Sequence, residues 1–419
     1  MVIESLIITK LQVVWDLNHA QRGFLGSAVF VGFFIGAFVS GKLSDVYGRR
    51  PVFIVGAFTT AVFSFISAVS PNYYFLLVIR AFFGSGVGIS IPACSSLAVE
   101  ITPTKYRAWV MNLVWVFFPV GEIFSVIIAS YMLNEENGWR WLLAVVSIPA
   151  TISCILSLFI NESPRFYLST RQFDKAFINL DRILKYSTDR IELTPEMKNR
   201  IINEELGDED AKVIKSNYST LCKKDYVRLT VQTCAIYFIC SFCYYGFTFI
   251  LPQLMKEHHN KSMITQEESD KHMFSTLIFA ALSEIPSVFV ASFLSNIKCL
   301  GRVRTMGIGL ILSCIASILC AIFLAEIKIF GSIFKFSVNI PYGVIYVYTC
   351  EAFPTQIRSI AVGVTGAFNR LGGIFTPIIS QMVFSLNIVG PFITFAIASL
   401  GGVFLAFFLP FETLGRTMD

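Results

Sequence analysis

Four ionisable side chains interrupt stretches that are otherwise apolar: Glu4, Glu122, Glu284 and Arg370. In hydrocarbon a charge at a helix centre costs at least about 2.5–3.5 kcal/mol, so such groups persist where they bind or move charge. The chemistry open to three carboxylates and one guanidinium is reversible. A guanidinium holds an anion through paired N–H donors, and a carboxylate withdrawn from water takes up and releases a proton. Two readings of Arg370 stay open at this stage. In one it pairs with a glutamate and ties parts of the chain together. In the other it binds an anionic group of a solute while a glutamate, with Glu284 the one to test, carries a proton. Lys335 lies nearer the end of its apolar stretch, where a long side chain reaches the interface. Trp115, Tyr244, Tyr245 and Asn339 are candidate pocket walls, although aromatics in such stretches also serve packing and lipid contact.

Bond-making chemistry finds no such support. There is no phosphate-cradling glycine loop, no metal-ligand spacing among the four His, and no nucleophile–base set. An enzyme, an ATP-driven pump, a metal and a cofactor are therefore not expected. The ten Cys are scattered, which is not a disulfide framework, and Cys240 and Cys243 lie within an apolar run as packing residues.

The elements that hold these groups follow from hydropathy. Of 419 residues, 55% are hydrophobic and 15% charged, 41 are Phe, and the mean hydropathy is +0.66. A soluble domain of this length needs more surface charge, so the chain reads as an all-α membrane protein. Crossing about 30 Å of hydrocarbon takes roughly 20 apolar residues as a helix. Eleven stretches suffice: 22–43, 51–70, 74–98, 108–132, 140–160, 227–251, 273–295, 303–324, 328–350, 359–383 and 389–410. The segment from Met1 to Val14 is apolar but short, and reads as the outer half of a first span that begins upstream, with a protein of eleven spans as the alternative. Counting it as span 1 gives twelve spans. With a rise of about 1.5 Å per residue, Glu122, Glu284 and Arg370 fall midway along spans 5, 8 and 11, and Glu4 lies about 15 Å into span 1. The expectation is that all four converge at one depth.

Lys and Arg placement sets the orientation. With the turn after span 2 taken as cytoplasmic, 23 of the 33 Lys and Arg fall on that side and seven on the other. The C-terminus is then cytoplasmic. Residues 162–226 form the one polar stretch, a cytoplasmic linker with helix-like runs at Asp174–Lys185 and Glu196–Glu205. The chain thus divides into a bundle at 1–161, the linker at 162–226 and a second bundle at 227–419. Two glycosylation sequons occur, at Asn217 on the inner side and at Asn260 on the outer side, where it is usable.

The two halves repeat. Glu100-Ile-Thr-Pro-Thr-Lys-Tyr-Arg107 recurs 251 residues later as Glu351-Ala-Phe-Pro-Thr-Gln-Ile-Arg358. Gly41, Asp45, Gly48, Arg49 and Arg50 form a turn after span 2, weakly matched by Gly301-Arg302 after span 8. Glu162 and Arg165 follow span 6, as Glu412 and Arg416 follow span 12. The glycines permit a tight turn, and each Pro stops a helix between opposite charges. Such charges suit a breakable latch between halves, since one surface pair contributes roughly 0–1 kcal/mol. The lack of an acidic residue in the second turn leaves that latch in doubt.

Here a resemblance becomes specific. Gly41-x-x-x-Asp45-x-x-Gly48-Arg49-Arg50 and Arg80-x-x-x-Gly84-x-Gly86-x-Gly88 resemble motifs of the major facilitator superfamily. Glu162-Ser-Pro-Arg165 and Glu351-x-Phe-Pro-Thr-x-x-Arg358 are similar to its sugar-porter and organic-ion branch. Tyr244-Tyr245-Gly246, Ser283-Glu284-Ile-Pro286 and Asn369-Arg370-Leu-Gly-Gly373 look like its synaptic-vesicle-protein-like members. The resemblance implies two six-helix bundles and alternating access about a midplane site. Gating then belongs to Gly41, Asp45, Gly48, Arg49, Arg50, Arg80, Glu100, Arg107, Glu162, Arg165, Glu351, Arg358, Glu412 and Arg416. It also implies an organic anion as solute, because anion-carrying members have Arg at the position of Arg370. Sugar or organic-cation transport, and a transport-inactive receptor or vesicle relative, are the alternatives. The expected partners are a small solute, with protons as an option, and the lipid bilayer, with no nucleic acid and a monomeric chain. Plasma membrane and intracellular vesicle or organelle membrane both fit.

Overall fold

The computed structural model describes residues 2–102, 104–133, 135, 137–185, 194–207, 220–261 and 266–414. Among these residues all regular structure is helical. Long helices form over every apolar stretch: α2 (His19–Tyr47), α3 (Arg49–Ala68), α4 (Tyr73–Ile101), α5 (Thr104–Met132) and α6 (Gly138–Ser157), then α10 (Lys224–Lys261), α11 (Gln266–Asn296), α12 (Gly301–Ile322), α13 (Ile327–Ala352), α14 (Thr355–Leu386) and α15 (Gly390–Phe407). Nine of them are long and apolar enough to cross a membrane. The other two, α13 and α14, have the length but carry Lys335 and Arg370 in mid-helix. Before them comes the short α1 (Val2–Val14), and between the two sets lie α7 (Pro164–Ser169), α8 (Phe173–Lys185) and α9 (Pro195–Gly207). The last two match the helix-like runs expected in the linker. Both sequons fall outside the described residues or side chains.

Local chemistry explains the boundaries. Asn18 caps α2 by accepting the Gln21 N–H at 2.8 Å, and the Gln21 side chain returns a bond to the Asn18 N–H at 3.0 Å. Asn72 caps α4 in the same way at the Phe75 N–H. Gly48 separates α2 from α3 with φ of 97°, and Gly301 precedes the bulk of α12 with φ of 65°, both in the region that disfavours other residues.

Helices α2, α3, α4 and α6 pack on one another, and α10 to α15 form a second group. The groups meet along α2–α14 and α5–α11, with α1 laid against α10. The glycines after Arg80 are explained by close approach. A Cβ on Gly84 would lie 2.0 Å from the Val29 carbonyl oxygen of α2, and one on Gly88 2.3 Å from that of Phe33. Small residues at such crossings let membrane helices touch backbone to backbone. Large apolar side chains face outward instead, Phe58 and Phe293 being 59% and 70% exposed, as suits a lipid surface.

The α2–α14 contact is uneven along its length. Far from the linker, Gly23 abuts the Ile378 backbone, Gly26 abuts Pro377 and Phe249, and Ser27 donates to the Ile374 carbonyl at 2.6 Å. Towards the linker end, Gly41, Gly363 and Gly366 have open space around them. At the far end Gly23, Gly26 and Ser27 join the groups.

Candidate functional site

Three helices bring charge together where the groups meet. On α13, Lys335 is 2% exposed and its Nζ lies 2.5 Å from Glu284 Oε1 of α11 and 3.5 Å from Glu122 Oε2 of α5. From α10, Tyr244 donates its hydroxyl to the other Glu284 oxygen at 2.7 Å, and its ring lies 4.0 Å from the Lys335 ammonium. Burying two ions costs several kcal/mol each, which only close pairing and further hydrogen bonds repay. The Lys335–Glu284 contact crosses within one group of helices, whereas Lys335–Glu122 spans both. Next to it, Asn339 donates to the Ser287 hydroxyl at 2.7 Å, and Ser287 donates to the Glu284 carbonyl.

Arg370 sits apart from these carboxylates. Its guanidinium stacks 3.7 Å above the Phe33 ring of α2, facing Tyr245, Tyr342 and Tyr346. Among the described residues no carboxylate lies within ion-pair distance of it. Its neighbours are fixed in turn: Tyr342 stacks on Tyr244, and its hydroxyl donates to Asn369 Oδ1 at 3.0 Å. Tyr245 packs edge-on against Phe30 of α2. Trp115 of α5 is 41% exposed and tilts against Tyr346 at 5.9 Å.

The expected convergence of four groups needs correction. Glu4 is turned away and closes on Arg80 of α4, both side chains being buried, with Arg80 Nε donating to Glu4 Oε1 at 3.2 Å. Arg80 is accordingly a deep partner of α1. Lys335, expected at an interface, takes the central place instead. The pairing of Arg370 with a glutamate, left open above, does not occur among the described residues.

The helix ends also differ from expectation. Glu100 pairs with Arg49 at 3.3 Å and Glu351 with Arg302 at 2.9 Å, each within its own group of helices. Among the described side chains these two pairs do not join the halves, and the second copy forms without an acidic residue in its turn. Glu162 accepts the backbone N–H groups of Arg49 and Arg50, and Glu412 those of Arg302 and Val303. A carboxylate at a helix N-terminus satisfies unpaired donors and complements the helix dipole. Gly48 and Gly301 leave the room: a Cβ would stand 2.3 Å from Glu162 Oε2 and 2.5 Å from the Glu412 carboxyl. Arg50 donates to the Leu158 carbonyl, Arg358 to that of Phe353, and Arg165 is exposed. The side chains of Asp45 and Arg107, and all of Arg416, lie outside the described residues.

The Sugar (and other) transporter family model matches residues 12–419. The chain belongs to that family. Among similar proteins, "Putative transporter SVOPL" of Danio rerio is 29% identical over all of this chain and 84% of its own length. "Synaptic vesicle 2-related protein" of Rattus norvegicus is 27% identical over all of this chain and 76% of its own. "Organic cation/carnitine transporter 7" of Arabidopsis thaliana is 26% identical, with 89% of its own length covered. In three dimensions the transporter resembles the partially occluded inward-open form of the xylose transporter XylE from E. coli, with a TM-score of 0.77 and 15% identity over 99% of this chain and 97% of that one. The fold is that of the major facilitator superfamily, and the protein is a multi-pass membrane transporter rather than an enzyme.

Sequence reasoning missed Lys335, Tyr342 and Tyr346 of this transporter. The signal was present: with Asn339 they recur at intervals of four, three and four, which is one face of α13. An apolar helix with a polar stripe of that period turns the stripe towards protein. Phe33 carried no signal, since its role depends on the crossing of α2 and α14.

Proposed function

We propose that the transporter moves a small organic anion by alternating access, with Arg370 binding the substrate carboxylate. One observation carries the reading: Arg370 is a cation facing the junction of the two helix groups and has no carboxylate partner among the described residues, whereas Lys335 has two. A guanidinium stacked on Phe33 presents a planar fork of N–H donors that suits a carboxylate. The tyrosines around it offer ring faces and hydroxyls to the rest of the solute. The site then lies between bundles at 1–161 and 227–419 joined by the linker at 162–226. The linker side is cytoplasmic by its Lys and Arg excess. Uptake is coupled to protons through a carboxylate of the same site, and the unit of transport is the monomer. The vesicle names among its relatives favour an intracellular vesicle membrane.

A second reading has one support of its own. Glu122 and Glu284 share a single lysine, which leaves carboxylate in excess for an organic cation, as the name of the Arabidopsis relative suggests. Uptake of labelled benzoate, tetraethylammonium and glucose into proteoliposomes separates the readings. The anion reading expects benzoate uptake that is lost in Arg370→Ala. Tetraethylammonium uptake surviving that change favours the cation, and glucose uptake alone favours a sugar.

A further inference from the structure

We infer that Arg22, at the far end of α2, holds a small organic carboxylate at a station separate from Arg370. This goes beyond the solute site proposed above and stands on its own geometry.

Arg22 is 4% exposed and lies where the two helix groups meet. Its Nη1 donates to Gln12 Oε1 of α1 at 2.8 Å and to Gln253 Oε1 of α10 at 3.4 Å. Among the described residues no carboxylate pairs with it, and its Nε and Nη2 have no partner. Those two N–H groups form the edge of a guanidinium that matches both oxygens of a carboxylate. A buried cation without a counter-charge is costly, so an anion is what this position lacks.

The amide beside it calls for the same partner. Gln253 Oε1 accepts from Arg22 and also from Gln381 Nε2 of α14, which fixes the orientation of the amide. Gln253 Nε2 is then a donor, buried and without a partner. The unused groups on both residues are donors, and donors need an acceptor rather than a cation. Both residues line one cavity of about 560 Å³, within the roughly 300–1,000 Å³ usual for small-ligand sites. The other charges of the cavity do not fill the role. Lys256 and Asp270 attract each other, while Glu257 is exposed and acts on Arg22 only from beyond ion-pair distance.

Position gives the station a use. Arg22 reaches Gln253, and His19 of α2 lies 3.4 Å from Gln381, so the network ties the two groups at the far end. The close contact of Gly23 with Ile378 adjoins it. Phe33, the platform under Arg370, follows Arg22 by eleven residues of the same helix. At a rise of about 1.5 Å each, that is about 16 Å. A carboxylate entering from the far side meets Arg22 first, and must pass the ties to α10 and α14 to reach Arg370.

The test isolates this station by removing the other. The full chain carrying Arg370→Ala is placed in nanodiscs, and binding of labelled benzoate is measured by scintillation proximity. The expected result is saturable binding that Arg22→Gln abolishes. Arg22→Lys, which keeps the charge without the planar fork, should weaken it at least about tenfold, and decides the matter if Arg22→Gln fails to fold. Excess acetate should displace the label and equal chloride should not, since chloride offers one centre where a carboxylate offers two oxygens. No saturable binding in Arg370→Ala, binding unchanged by Arg22→Gln or Arg22→Lys, or displacement by chloride as effective as by acetate overturns the inference. Uptake reads Arg370 and this binding reads Arg22, so either reading can fail alone.

Discussion

The Lys335 ammonium and the Glu284 carboxylate lie 2.5 Å apart with 2% and 1% of the two residues exposed. Each is therefore the condition on which the other is buried. Removing one partner of such a pair costs about 3–5 kcal/mol, while replacing both by apolar groups is often neutral. Glu284→Ala is expected to lower thermal stability in detergent by an amount in that range. The double change Glu284→Leu with Lys335→Met is expected to restore most of it. Additive losses in the double variant would show that the pair is not energetically coupled.

Tyr244 supports the same carboxylate from α10. Tyr244→Phe keeps the ring over Lys335 and deletes only the donor to Glu284. A hydrogen bond to a charged group contributes about 1.5–3 kcal/mol. Unfolding should move by that amount, whereas Tyr244→Leu, which also removes the ring, should cost more.

Gly48 and Gly301 hold positive φ against the carboxylates that cap α3 and α12. Alanine at either position combines left-handed strain with a Cβ that meets a carboxyl group. The expected loss is about 1–3 kcal/mol at each site, with equal effects in the two halves. Glu412→Gln, which leaves an acceptor at the α12 N-terminus, should be milder than Gly301→Ala. Thermal unfolding of the three single variants checks the ranking.

Arg370 has Phe33 as its platform and no carboxylate among the described residues. Arg370→Ala should therefore abolish benzoate uptake with little loss of stability, because no buried carboxylate among the described residues is orphaned. Arg370→Lys keeps the charge without the planar fork, and should lower uptake at least about tenfold, since an Arg–Lys exchange at a bidentate site is not conservative. A stability loss in Arg370→Ala as large as that in Glu284→Ala would instead mark Arg370 as structural.

The sequence by itself determined the spans, the polar linker and the internal repeat. Each is a local property: apolar length, charge density, or residues such as Glu100 and Glu351 in the same register. It also marked Glu122, Glu284 and Arg370, because a charge in an apolar run stands out whatever it touches. Their partners were decided only by the tertiary structure. Glu4 met Arg80, Glu100 met Arg49, and Lys335 moved from the edge of the reading to the middle of the site. Depth along a helix is legible from residue number, but direction around it depends on how neighbouring helices cross. Those crossings are set by contacts such as Gly84 on α2 and Gly23 on α14, between residues far apart in the chain. An ion pair forms where two such directions meet, and no spacing within a single helix encodes that.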